Sequence, residues 1–300
     1  MSYERLEFLG DAVLDFIIVP KLFAHPRKLR HWELHSVHEA LVNGLFLGLC
    51  CMTYSVDQDQ FSITNSAAQK QQETGPEIHS SANKVHLHDF LRAGGEVMRA
   101  KRQALQVYQE LQSTIGSAFT SPQKEGRNNS EGDREYPWTH LLALKPPKFL
   151  SDIIESVLGA LYLDTGGDTA KCEAFLTRIG IIDCMSTILD EGSTMMEVRS
   201  PKERLGIAAG NAVVKYVNST VQLDGEGSGE SKRMMFHCAV QVNGKTIAAK
   251  SGEASRAEAE SRAALATVNT LRKEPVEQDT MEVDGMNSRK RKHEGLETAW

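Results

Sequence analysis

The sequence predicts a mainly α-helical domain over residues 1–190, followed by a small α+β domain (helix, three strands, helix) over 200–272. Three observations carry this reading. Apolar residues recur at three- and four-residue intervals through most of the first block, the spacing of one helical face. Past Ser200 the period falls to two, with Phe236, Cys238, Val240 and Val242 alternating with His237, Gln241 and Asn243. A length of 300 residues also suits roughly two domains.

Taken in order, Glu4 to about Phe23 is a helix with Leu6, Leu9, Val13, Leu14 and Ile17 as its stripe; Pro20 is expected to kink or shorten it. A second helical run covers Glu33 to about Cys51. Residues 55–84 turn polar and read as a disordered insert. Helical texture resumes near His88 and passes through Met98, Leu105, Tyr108, Leu111 and Ile115, before a second polar insert at about 117–134. After Pro146-Pro147 a strong helix runs from about Phe149 to Tyr162, and another passes through Phe175 and Ile179. Pro201 opens a short helix ending at Ala209-Gly210. Val213 to Leu223 is a strand, Gly225 to Gly229 a turn, and Asn243-Gly244 a hairpin signal before the returning strand Lys245 to Lys250. Ser255 and Glu258 form a capping box ahead of an Ala-rich helix to Leu271. Residues 273–300 read as a disordered tail.

Composition excludes several classes. With 34 Lys+Arg against 40 Asp+Glu, the net charge of -6 rules out a uniformly basic coat but not a local basic patch. The longest apolar stretch, Leu41 to Tyr54, falls short of the ~18–20 residues of a membrane helix. No secretory signal opens the chain. Five cysteines, two of them adjacent and none in a CxxC pair, argue against a disulfide framework and against zinc. The expectation is an intracellular protein, cytoplasmic or nuclear, with no membrane partner.

The chemical signal is four carboxylates. Glu7 and Asp11 are spaced i, i+4 on one helix; Asp152 and Glu155 are spaced i, i+3 on another, so each pair shares a face. Like charges so placed cost an isolated helix about 0.2–0.5 kcal/mol per pair, and partial burial among apolar neighbours adds to that. A divalent cation between the pairs removes both penalties. All-oxygen ligands favour Mg²⁺ or Mn²⁺. Spacing alone leaves the alternative open that these acids mark solvated helix faces.

The residues around the acids go further. Glu4-Arg5-Leu6-Glu7-Phe8-Leu9-Gly10-Asp11-Ala12-Val13-Leu14-Asp15 closely resembles the signature helix of the ribonuclease III family, and Pro147 to Asp164 resembles the family's second acidic motif. Leu41-Val42-Asn43 looks like a third. The Pro-Pro-Lys-Phe-Leu-Ser-Asp wording, Glu135-Tyr136-Pro137-Trp138 and the long middle insert resemble the last ribonuclease III domain of fungal Dicer-like proteins. The resemblance implies that Glu7, Asp11, Asp152 and Glu155 are catalytic metal-binding carboxylates. The ion would be Mg²⁺, with Mn²⁺ able to substitute; two such ions can activate water and take up charge on a leaving 3′ oxygen. Glu4 matches a supporting acid, and Asn43 a structural or supporting position. Lys148 resembles a Dicer-type lysine near the scissile phosphate; it equally suits an ordinary first-turn residue.

The second block resembles a double-stranded RNA-binding domain with eroded contacts. Lys232 and Arg233 fall in the loop between the first two strands, and Arg256 opens the last helix; Ala257 and Glu260 stand where further lysines are expected. Between Pro201 and Arg272 there are ten basic and seven acidic residues, a local basic surplus that suits RNA. The other reading is a domain retained for protein contacts. Arg289-Lys290-Arg291-Lys292 is a basic run in the tail, suited to a nuclear address, an RNA contact or a solvated patch.

The resemblance thus implies Mg²⁺-dependent endonucleolytic cleavage of double-stranded RNA to 5′-phosphate and 3′-hydroxyl ends, in small-RNA production for gene silencing. It also implies a second ribonuclease III domain as partner, in a homodimer or on another chain, since one domain cuts one strand. The signature begins close to Met1, where the family has preceding helices, so the sequence reads as a fragment or a misplaced start. The alternative function is a non-catalytic RNA-binding or dimerisation protein.

Overall fold

A computed structural model describes residues 2–57, 84–120, 135–189, 196–223 and 233–273. The helical domain comprises α1 (Tyr3–Phe23), α2 (His31–Val42), α3 (Gly44–Thr53), α4 (Gly95–Thr120), α5 (Trp138–Leu144), α6 (Lys148–Asp164), α7 (Thr169–Arg178) and α8 (Ile181–Leu189), with a short ribbon of β1 (Ser55–Asp57) and β2 (Lys84–His86). Its core is one continuous apolar cluster. Leu14 and Ile18 of α1, Leu47 and Cys51 of α3, and Ile154 and Leu158 of α6 are fully buried there. Burial pushes the Cys51 and Cys184 thiols up to about 12, and all five cysteines are free and buried, so none is poised to react.

The second helical run is not one helix. Asn43 adopts an extended conformation between α2 and α3; its side-chain oxygen accepts from the Phe46 N–H at 2.9 Å, and its amide donates to the Glu39 and Ala40 carbonyls. One residue therefore ends one helix and caps the next. No single described helix is long and apolar enough to cross a membrane; α2 and α3 together, bent by 43°, pass on length and composition, but α3 is core.

The polar inserts are shorter than their composition suggests. Ser55–Asp57 pairs antiparallel with Lys84–His86, Val56 facing Val85, so both margins of the first insert belong to a ribbon. Helix α4 continues to Thr120, past the predicted boundary at 117, and starts at Gly95 rather than His88, which lies in a 3₁₀ turn over Leu87–Phe90. The remaining insert positions, the turn at 225–229 and the tail after Lys273 lie outside the described residues. Pro20 neither ends nor shortens α1, which runs three residues beyond it.

The second domain is α9 (Pro201–Ala209), β3 (Val214–Leu223), β4 (Arg233–Val242), β5 (Lys245–Glu253) and α10 (Arg256–Lys273), with the antiparallel sheet order β3-β4-β5. Asn243 and Gly244 both take positive φ, 50° and 79°, as the two-residue hairpin requires. Ala259, Ala263 and Ala264 let α10 lie close on Cys238, Val240 and Val242, with Leu205 of α9 closing the core. The Glu258 N–H donates to Ser255 Oγ at 3.2 Å, completing the predicted cap.

The two domains are docked. Arg204 of α9, only 5% exposed, donates to Glu135 at 2.7 Å, and the segment leading into α9 is held to the helical domain by the Trp138 indole, which donates to the Val198 carbonyl at 2.7 Å, and the Tyr136 N–H, which donates to the Glu197 carbonyl at 2.9 Å. Arg199 stacks over Trp32 of α2, 4.7 Å from the ring centre.

Candidate active site

The site is built where α1 crosses α6. Two glycines set the distance. A Cβ on Gly10 would lie 1.7 Å from the Glu155 carbonyl oxygen, and one on Gly159 would lie 2.2 Å from the Leu6 carbonyl oxygen. The helices meet backbone on backbone, which carries Glu7 of α1 over Asp152 and Glu155 of α6. Glycine costs a helix about 1 kcal/mol relative to alanine, so two glycines inside apolar helices were the signal of this close approach in the sequence.

Glu7, Asp152 and Glu155 each offer a carboxylate oxygen, and these atoms lie within 4.8 Å of one another. Asp152 is 8% exposed, and its Oδ1 also lies 3.3 Å from the Ser151 hydroxyl, a neighbour that sequence spacing did not reveal. Asp11, one turn along α1, lines the same cleft but stands outside the three-carboxylate group. Of the four predicted metal-binding acids, the fold brings three together and leaves Asp11 at the rim. Glu4 and the exposed Phe8 also line this open cleft of about 540 Å³.

Lys148 follows Pro147, whose extended backbone ends the preceding segment and starts α6. Its Nζ donates to Glu7 Oε1 at 2.7 Å and Asp152 Oδ1 at 2.6 Å while the side chain remains 75% exposed. Those two hydrogen bonds raise its pKa, so the ammonium is permanent. Among the described residues Glu155 has no such partner. Burial, then the charges of Asp11, Asp152 and Glu7, push its carboxyl up to about 7. Asp11 is raised as well, by burial and by Asp15, with His38 opposing. His38 itself bonds Asp15 at 2.8 Å.

Burial and like charge together raise the Glu155 carboxyl, and a bound cation would relieve both. Hard oxygen donors without His or Cys suit Mg²⁺ or Mn²⁺. The residues present fit such an ion. Asn43 does not reach the cleft; its hydrogen bonds place it as the cap of α3.

The family comparison matches this geometry. A model of the ribonuclease III domain matches residues 4–166, the segment that holds both acid-bearing helices. The chain belongs to the ribonuclease III family. A second model, the double-stranded RNA-binding domain of Dicer-like protein 2, matches residues 195–296. The chain is 36% identical over 272 residues to Dicer-like protein 2 of Phaeosphaeria nodorum, and 33% identical over 273 residues to that of Coccidioides immitis. Each alignment covers 90% of this chain. Dicer-like protein 2 of Aspergillus oryzae is 33% identical over 274 residues, 91% of this chain. The chain spans only 17–18% of the length of these relatives.

In the second domain, Arg256 opens α10 with its guanidinium exposed and donates to Glu260 at 2.8 Å. Arg233 opens β4, opposite Leu223. Lys232 lies outside the described residues.

Proposed function

We propose that this chain is a divalent-metal-dependent endoribonuclease of Dicer-like type. It would cut one strand of double-stranded RNA, leave 5′-phosphate and 3′-hydroxyl ends, and act in small-RNA production for gene silencing. The observation that carries this reading is the set of three converging carboxylates in a cleft open enough to admit a phosphodiester backbone.

Glu7, Asp152 and Glu155 would hold the metal, with Asp11 at the rim. Bound there, Mg²⁺ or Mn²⁺ supplies Lewis-acid activation of water and neutralises charge on the leaving oxygen. Glu155 must lose its proton before it can ligate. Lys148 presents an ammonium at the cleft mouth, where it can meet a phosphate oxygen and the charge developing on it.

The partner in this reading is a second ribonuclease III domain. Phe8, Phe16, Val19 and Phe23 run along the outer face of α1, 80%, 67%, 49% and 80% exposed. Large apolar residues in such a row mark an interaction surface. Cutting both strands takes two sites, so pairing through this row is consistent with one acidic cluster per domain.

The test is cleavage of end-labelled duplex RNA in Mg²⁺, Ca²⁺ or EDTA, by the chain and by its Asp152→Ala and Glu155→Ala variants. Mg²⁺-dependent cutting that falls at least about 100-fold in both variants supports the proposal. A folded chain that binds duplex and never cuts, with or without an added ribonuclease III domain, overturns it.

A further inference from the structure

The head of the second domain carries an arrangement that the nuclease reading leaves unexplained. Lys202, second residue of α9, and Arg256, first residue of α10, both donate to the carboxylate of Glu260. Asn218 of β3 donates to it from below at 2.8 Å. Glu260 is 8% exposed, whereas the side chains of its two cationic partners are 46% and 68% exposed. A buried anion thus holds two surface cations, and the patch keeps one net positive charge of two. The three donors also hold the Glu260 carboxyl below its ordinary pKa, so it stays ionised at neutral pH.

We infer that Glu260 is a built-in counter-anion that competes with RNA phosphates for Lys202 and Arg256, and so sets how tightly this domain holds duplex RNA. The inference rests on the double-stranded RNA reading of the domain. A phosphate reaching either cation must displace, or share, a carboxylate that cannot swing away into solvent. The domain then binds weakly and with a shallow salt dependence, because fewer counterions are released than its cations would allow.

Glu260→Gln removes the charge at constant shape. Binding is read by fluorescence anisotropy on a short blunt RNA duplex across a salt series, with the full chain in EDTA so that nothing is cut. The Gln variant is expected to bind roughly tenfold tighter at moderate salt, with a log–log slope steeper by about one. Glu260→Asp, which keeps the charge, should show no gain. In a Lys202→Ala/Arg256→Ala background the Gln substitution should add nothing. Equal binding by wild type and the Gln variant, with both weakened by the double alanine change, leaves RNA binding in place and overturns the counter-anion. A gain that persists in the double-alanine background overturns it too. If no variant binds duplex even at low salt, the RNA reading of the domain falls and takes the inference with it.

Discussion

Where α1 crosses α6, three carboxylates converge and two of them share one lysine; at the head of α9 and α10, one carboxylate holds two cations. The two patches are near-opposites in charge and in what is buried. In the first, Asp152 is covered by the helix crossing, the Glu155 carboxyl is pushed up to about 7, and the surplus is negative. In the second, the anion is covered, its carboxyl is held low, and the surplus is positive. Each surplus leaves a patch suited to a partner of opposite charge. The strength of each patch then depends on how well the chain already satisfies it.

The largest effect should come from opening the acidic patch mechanically. Gly10→Val would drive a side chain into the Glu155 carbonyl. It is expected to cost about 3 kcal/mol or more, as overpacking against immovable backbone does, and to abolish metal binding. Thermal unfolding and Mn²⁺ titration check both. Gly206→Ala in α9 meets nothing within 4 Å, so the same experiment there should show unchanged or slightly raised stability. Equal losses at the two sites would sink the backbone-contact argument.

A smaller loss is expected where the two domains join. Arg204→Ala strands Glu135 and removes a buried guanidinium, at a cost of about 2 kcal/mol. Separate melting of the two domains in calorimetry would show that this contact couples them. Weaker still is the effect of Lys148→Met. The lysine is mostly exposed, so its ion pairs contribute at most about 1 kcal/mol. The variant should be less stable than wild type in EDTA and should regain the difference in Mg²⁺, while cutting more slowly.

A further effect is a pH slope. Glu155 keeps its proton up to about 7 in the folded chain but releases it near 4.5 when unfolded. Its contribution to stability is therefore full below 4.5 and is lost as pH rises through 7. Metal-free melting curves should show this decline, and Glu155→Gln should flatten it. Mn²⁺ affinity should run the other way, rising with pH through the same window as the proton departs. An unchanged slope in the Gln variant would remove Glu155 as its source.

Much of this was legible in the residues. The apolar stripe of α1, the alternation in β4, the Asn243-Gly244 turn and the Ser255 cap are local rules, and each produced its element. What stayed hidden depended on single side chains or on distant partners. Asn43 and Gly44 interrupt the apolar stretch from Leu41 to Tyr54, but only the hydrogen bonds of Asn43 show that α2 ends and α3 begins there. Strands β1 and β2 are three residues each with 26 residues between them, too short for period to register. Spacing placed Asp11 with Glu7 on one face, yet a pair on one helix does not say which member comes within 4.8 Å of both acids on the other helix; Glu7 does. Glu260 stood out as an acid in a basic place, but its hold on Lys202 crosses from one helix to another and no local pattern records it.

The glycine contact at the crossing has a last consequence, for tolerance to change. Backbone has no rotamers, so the separation of Glu7 from Asp152 and Glu155 is set by two main chains in contact rather than by how side chains fill the space around them. Leu14, Ile18, Ile154 and Leu158 can trade methyl groups among themselves without moving the carboxylates. The core is thereby free to drift while the ruler inside it keeps its length.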